Sequence, residues 1–376
     1  MKKININLIA TYITIAFILI SPFENVFRIE KIYYLLGIVS LAMCVLARKR
    51  IKKNKSLLLI VFIIYAFITT IWSPNANAAI ELLNLCVVII FLFFQLQFDY
   101  TLENFDKIKI AFVIQGGIMV MLCFAYGNYM DGRFWLQSST SGADPNYLSG
   151  WFIIPICFIA EKLFDKSICL VYKIFMVLEL IGIFYFIMES ASRSGLITNV
   201  IALGLSILYS AKKYVKKHPI KCVLIIIIFI GIMILGVQSM PETMINRLAN
   251  SNGNLGGRSA IWKELWAVIT NSVRGMLFGM GSGSVTYYNT FHMGAHNTFF
   301  DIWFQYGIIG ISLIGSYLMF WIRKKIRIDK YTVFALISMS IMIFTLSALS
   351  TRFVMLTLFV IGAKIVTNEN INEKLR

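Results

Sequence analysis
The sequence predicts an all-α polytopic membrane protein: about 12 transmembrane helices, both termini cytoplasmic, and one large extracytoplasmic loop carrying an amphipathic helix. Three observations predict this. Of 376 residues, 59% are hydrophobic and 14% charged, with a mean hydropathy of +0.77. A soluble domain runs near ~45–50% apolar and ~25% charged, so this balance excludes an ordinary globule. The apolar residues also collect into runs near the ~20 residues that cross a bilayer. Finally, the 35 Lys and Arg, set against 18 Asp and Glu for a net +17, gather between those runs.

In chain order the runs lie at 5–21, 32–47, 56–72, 79–97, 108–126, 148–164, 170–188, 194–210, 222–238, 297–322, 331–347 and 349–365. Lipid offers the backbone no hydrogen-bond partners, so each reads as a helix. The shorter runs need tilt or snorkelling flanks. The first run resembles a signal peptide, but Ser21-Pro22-Phe23-Glu24 offers no small-residue cleavage site, and a retained span is expected. With both ends inside, the inner segments carry 25 Lys and Arg and the outer segments nine, Lys173 falling within a run. That bias fixes the orientation. Residues 1–376 therefore read as a single integral membrane domain, with 239–295 a large outer loop between the ninth and tenth runs and 127–147 a smaller one. Within the large loop, Ile261, Trp262, Leu265, Trp266 and Ile269 recur at helical spacing and make one apolar face. Its two tryptophans suit a helix lying in the headgroup layer. The six cysteines show no CxxC pair and no histidine at ligand spacing, so neither a disulfide framework nor zinc is expected.

The two basic residue types separate by side. Of 23 lysines only Lys31 and Lys263 lie outside, whereas seven of 12 arginines do: Arg28, Arg133, Arg193, Arg247, Arg258, Arg274 and Arg352. Topology requires no outer arginine. The guanidinium fork binds phosphate oxygens bidentately and keeps its charge near low dielectric, so an outer site for a phosphorylated, membrane-embedded ligand would produce this segregation. The plain alternative is pairing with Glu24, Glu30, Asp131, Asp144, Glu189, Glu242 and Glu264. Arg193 stands out because it occupies the tight turn Glu189-Ser190-Ala191-Ser192-Arg193-Ser194-Gly195.

Three histidines remain. His218 sits among inner lysines; His292 and His296 lie outside, just before the tenth run. Asn297 is placed to cap the incoming helix, which leaves His296 at the membrane surface, where an imidazole can accept a proton from a sugar hydroxyl. Gly279-Met280-Gly281-Ser282-Gly283 forms a glycine-rich turn without the Gly-Lys-Ser/Thr of a nucleotide loop. No Asp-x-Asp pair faces outside, so a metal-held diphosphate has no support, and arginines would supply the counter-charge.

Three blocks carry a family resemblance: Ser192-Arg193-Ser194-Gly195; Gly257-Arg258-Ser259 with Trp262 and Trp266, leading to Leu277-Phe278-Gly279-Met280-Gly281; and His296-Asn297-Thr298-Phe299-Phe300-Asp301 continuing to Gln305-Tyr306-Gly307-Ile308-Ile309-Gly310. Over about Ser192 to Gly310 the sequence resembles the bacterial O-antigen polymerase and O-antigen ligase superfamily, membrane glycosyltransferases with a GT-C-like helical core. The resemblance implies glycan transfer from an undecaprenyl-diphosphate carrier on the extracytoplasmic face of the bacterial inner or cell membrane, with no nucleotide donor, no cofactor and no metal. It implies that Arg193 and Arg258 hold the diphosphate and that His296 activates the acceptor hydroxyl. Asp301 stands where many members carry glutamate. Arg274, Arg352, Asn297, Asp301 and Trp262 complete the expected substrate-binding set, the first two as charge candidates only.

The expected partners are the undecaprenyl-diphosphate-linked oligosaccharide and the lipid bilayer, together with a chain-length regulator and a flippase; nucleic acid is not expected. A polymerase joining repeat units is the favoured reading. A ligase moving glycan onto lipid A core shares the same blocks, and a protein-directed oligosaccharyltransferase would carry a longer C-terminal region. From another class, a lipid-linked oligosaccharide flippase suits twelve spans, but it is opposed by the missing internal repeat and by arginine and histidine gathered on one face.

Overall fold
The structure is a computed structural model that describes residues 5–27, 29–46, 55–137, 142–215, 241–249 and 258–366. It is mostly helical. In chain order the helices are α1 (Ile6–Ile20), α2 (Glu30–Leu46), α3 (Leu57–Thr69), α4 (Ala78–Gln95), α5 (Leu102–Tyr126), α6 (Pro145–Trp151), α7 (Ile153–Leu163), α8 (Leu170–Glu189), α9 (Arg193–Val215), α10 (Glu242–Ala249), α11 (Arg258–Thr270), α12 (Val273–Phe278), α13 (Thr298–Ile328), α14 (Lys330–Ile343) and α15 (Arg352–Gly362). Among the described residues, six helices are long and apolar enough to cross a membrane: Ile6–Asn25, Ala78–Gln95, Leu102–Tyr126, Leu170–Glu189, Arg193–Lys212 and Thr298–Ile328. Four shorter apolar helices lie at Lys31–Leu46, Leu57–Trp72, Lys330–Ile343 and Arg352–Gly362. The expected ninth run, 222–238, falls outside the described residues.

Several elements differ from the sequence expectation. The run at 148–164 is divided at Phe152 into α6 and α7. Helix α13 is broken at Gly307, whose φ of 63° and ψ of −166° are non-helical. The helices are joined by small sheets, so the fold is not purely α. Strands β2 (Gly127–Met130), β3 (Arg133–Gln137) and β4 (Gly142–Ala143) make an antiparallel sheet in the shorter loop, while β1 (Asp99–Thr101) pairs in parallel with β5 (Lys364–Val366). The hairpin turns through Asp131 and Gly132, both at positive φ, the backbone that a two-residue hairpin requires.

One large apolar core runs through the helices, and a second, smaller one sits beneath the large loop. In the second, Ile261, Leu265 and Ile269 of α11 are buried against Val285, Ala295 and Phe304. The apolar face read from the sequence therefore packs on the start of α13. Burial of each such aliphatic side chain stabilises by about 1.5–3 kcal/mol. Trp266 remains 53% exposed and meets Trp303 edge-on at 5.2 Å. At the other end of α5, Lys109 bridges Glu161 at 2.7 Å and Asp329 at 3.3 Å, and Lys162 pairs with Asp106. These pairs tie α5, α7 and the α13–α14 corner, and they keep buried charges compensated.

Candidate active site
The site is assembled from four stretches of chain. The first is the turn before α9. Ala191 adopts a left-handed φ of 47°, and Ser192 then caps the helix, its Oγ accepting from Gly195 N at 3.1 Å. A Cβ on Gly195 would collide with the Ser149 side chain, so glycine alone lets α9 lie this close to α6. Asn199 locks the same contact by donating to the Ser149 carbonyl at 3.0 Å. Arg193, the first residue of α9, is thereby fixed at a helix N-terminus, a place already favourable to anions. Its guanidinium donates to the Arg247 carbonyl of α10 at 3.1 Å.

The hairpin brings a further guanidinium. Arg133 donates through Nε to the Ser190 carbonyl at 3.0 Å and through Nη2 to Asn146 Oδ1 at 3.4 Å. Arg258 opens α11, and one turn later Trp262 donates Nε1–H to the Ala295 carbonyl at 2.6 Å. This bond brings the start of α11 against the histidine turn.

The turn itself is held from several directions. His296 has a φ of 53°, a left-handed backbone that side-chain-bearing residues adopt at a cost. Its N–H donates to Ser347 Oγ at 2.8 Å, and the Ala295 N–H before it donates to Asp301 Oδ1 at 3.1 Å. Asn297 caps α13 as expected, accepting from Phe300 N at 3.1 Å. Thr298 is gripped by the 346–348 loop, donating to the Leu346 carbonyl at 2.6 Å and accepting from Ala348 N at 2.8 Å.

Electrostatics show how these pieces face one another. Burial pushes the Arg133 guanidinium down to about 10, and Arg247 pushes it the same way, yet it stays protonated at neutral pH. Burial also lowers Arg258 and Arg247, and Arg193 beside each of them adds to the effect. Asp144 opposes the shift at Arg133, Arg247 and Arg258. His296 is held below its ordinary value first by burial, then by Arg258, again against Asp144. Among the described residues, Arg133, Arg193, Arg247 and Arg258 form no ion pair. Of the carboxylates offered as partners by the sequence, Glu24 pairs with Arg352, Glu189 accepts from the Tyr129 hydroxyl at 3.0 Å and Glu264 accepts from Thr290 at 2.7 Å, while Asp144 faces the cluster. The result is a positively charged cluster, partly buried, beside a neutral imidazole.

Of the residues expected from sequence, the structure brings together His296, Arg193 and Arg258, with Trp262, Asn297 and Asp301 holding the backbone around them. Two others lie apart. Arg274 stacks over the Trp72 ring at 5.3 Å, and Arg352 is buried, 3.1 Å from Glu24 and 4.8 Å over the Tyr33 ring. His292 points to the Thr286 carbonyl and stays exposed. Arg133 and Arg247 were visible in the arginine asymmetry but not as members of one cluster. Asp144 was visible only as one of several possible partners for the arginines, and Asn146, Tyr147 and Ser347 carried no sequence signal, since each matters through a partner distant in the chain.

The glycine-rich turn has a structural role. The break at Gly307 frees the carbonyls of Phe304 and Gln305, and these accept from Met280 N at 2.7 Å and Gly281 N at 3.1 Å. Gly283 N donates to Gln305 Oε1 at 2.7 Å. Backbone lies directly on backbone here: a Cβ on Gly279 would strike Gln305 and Tyr306, and one on Gly307 would strike Leu277 and Phe278.

Comparison with known families adds one finding. Residues 178–315 match the model of a family described as O-antigen ligase. The resemblance to the O-antigen polymerase and ligase superfamily is thereby shown over this segment. No curated protein matches the chain. The matched stretch holds Arg193, Arg247, Arg258 and His296, whereas Arg133, Asp144, Asn146, Tyr147 and Ser347 lie outside it. The match supports an enzyme of the O-antigen polymerase and ligase class, set in a membrane by several apolar helices.

Proposed function
We propose that this protein is a metal-independent polysaccharide polymerase, joining undecaprenyl-diphosphate-linked oligosaccharide repeat units on the extracytoplasmic face of a bacterial cell membrane. The observation that carries the proposal is a cluster of four arginines, without ion pairs among the described residues, beside the turn that holds His296. Breaking the bond from the anomeric carbon to the diphosphate oxygen sends the electron pair to the leaving group. Arg193 and Arg258, supported by Arg133 and Arg247, stabilise that charge more as it develops than in the ground state. The acceptor hydroxyl forms the new bond to the anomeric carbon and gives its proton to the His296 ring. The imidazolium so formed is disfavoured by Arg258 and favoured by Asp144. A lowered pKa keeps the base unprotonated at neutral pH, the state that it needs for this role. The 239–295 loop closes over the glycan in this reading, and α11 anchors it.

The family description itself favours a second reading, a ligase that uses the same donor and transfers the glycan to lipid A core. One experiment separates the two. Purified protein in lipid nanodiscs receives an undecaprenyl-diphosphate-linked repeat unit with no other acceptor, alongside His296→Ala. A ladder of products from wild type, lost in the variant, supports the polymerase. Wild type producing no ladder, but transferring glycan once lipid A core is added, refutes it in favour of the ligase.

A further inference from the structure
The two halves of the site, the arginine turn and the histidine turn, make no direct hydrogen bond to each other among the described residues. Arg258 reaches the histidine turn through Trp262 of α11, whereas Arg133 and the Arg193 turn are joined to it by the first turn of α6. Asn146 Oδ1 accepts from Ser192 Oγ at 2.8 Å and from Arg133 Nη2 at 3.4 Å. The next residue, Tyr147, turns the other way and donates its hydroxyl to the Ser347 carbonyl at 2.7 Å, and Ser347 Oγ holds the His296 N–H.

The strut between them is stiff. Pro145 fixes φ at the first helical position. Asp144 caps the helix, its Oδ1 accepting from both Asn146 N at 2.7 Å and Asn146 Nδ2 at 2.6 Å, which fixes the amide orientation with the oxygen toward Ser192. The rest of α6 is buried, with Ser149 against Gly195 of α9 and Gly150 against Phe353 of α15. Small residues at both contacts leave no slack for the helix to slide.

We infer that Asn146 and Tyr147 are positioning residues, a two-residue strut that sets the spacing between the base and two of the arginines, Arg193 and Arg133. The inference rests on the proposed function, but the geometry assigns each residue a separate half. Loss of the Asn146 acceptor frees Arg133 and the Ser192 turn and so weakens anion binding. Loss of the Tyr147 hydroxyl frees the loop that carries Ser347 and so misplaces His296 while the arginines stay put. A misplaced base slows the chemical step without weakening binding.

The test uses the full protein in nanodiscs with two readouts. Undecaprenyl diphosphate itself serves as the binding probe, and NMR of ring-labelled histidine follows His296, one of only three histidines. Asn146→Ala should weaken binding of the probe about tenfold, the usual size for lost hydrogen bonds of this kind, and leave the His296 resonance unmoved. Tyr147→Phe should leave binding within about twofold, shift the His296 resonance, and lower kcat about tenfold. The inference is overturned if both variants alter the two readouts alike, as a merely structural α6 would require, or if neither alters its own. Should wild type fail to bind the probe, the functional reading fails, while the histidine spectrum still decides the strut.

Discussion
Substitution of Gly307 by alanine is the sharpest test of how the site is built. Its φ of 63° and ψ of −166° lie in a region that essentially only glycine occupies, and forcing another residue there costs about 1–3 kcal/mol. A Cβ would also fall on the Leu277 carbonyl and 2.6 Å from Phe278 N, both backbone atoms that cannot swing aside. Overpacking of this kind costs about 1–3 kcal/mol more. The two overlap, since one backbone shift relieves both, so about 2–4 kcal/mol is expected. Gly315 provides the control, because it lies in the same helix with nothing within 4 Å of its would-be Cβ. There, alanine should be neutral or stabilising by about 0.5–1 kcal/mol. The assay is thermal unfolding in nanodiscs followed by intrinsic fluorescence, with product ladders measured below the transition. Gly307→Ala should unfold well below wild type and lose most of its activity, because the Gly279–Gly283 turn leans on the break and the same helix carries the His296 turn at its start. If Gly307→Ala and Gly315→Ala unfold together with wild type, the account of the break is wrong.

Three further outcomes follow from the charges. His296 must be neutral to accept a proton, and its pKa is held below the ordinary value, so activity should fall only as pH drops through that depressed value and stay level at neutral pH. Arg258→Gln removes a neighbouring positive charge and should move the acid limb of the profile upward, apart from any loss in rate; a downward move would contradict the arrangement. Arg352 pairs with Glu24 away from the cluster, so Arg352→Met should destabilise by about 1–3 kcal/mol through the stranded carboxylate and yet keep its ladder below the transition. Activity lost at unchanged stability would return Arg352 to the site.

Composition and apolar runs were enough to determine the helical membrane class, because lipid leaves the backbone no other economical solution. The Asn297 cap was also legible, since capping is a local signal, and the scarcity of polar groups at helix ends drew attention to Arg193 and His296. The break at Gly307 was hidden, because its cause is a contact with Leu277 and Phe278 in another block. The glycines at 279, 281 and 307 look like separate weak motifs until backbone is seen to lie on backbone. Arg274 and Arg352 show the converse. By side of the membrane they resemble Arg193, and only their neighbours, Trp72 for one and Glu24 with Tyr33 for the other, set them apart. Asn146, Tyr147 and Ser347 are ordinary polar residues in the sequence. The tertiary structure alone decides their importance, because a hydrogen bond acts over about 3 Å whatever the separation along the chain.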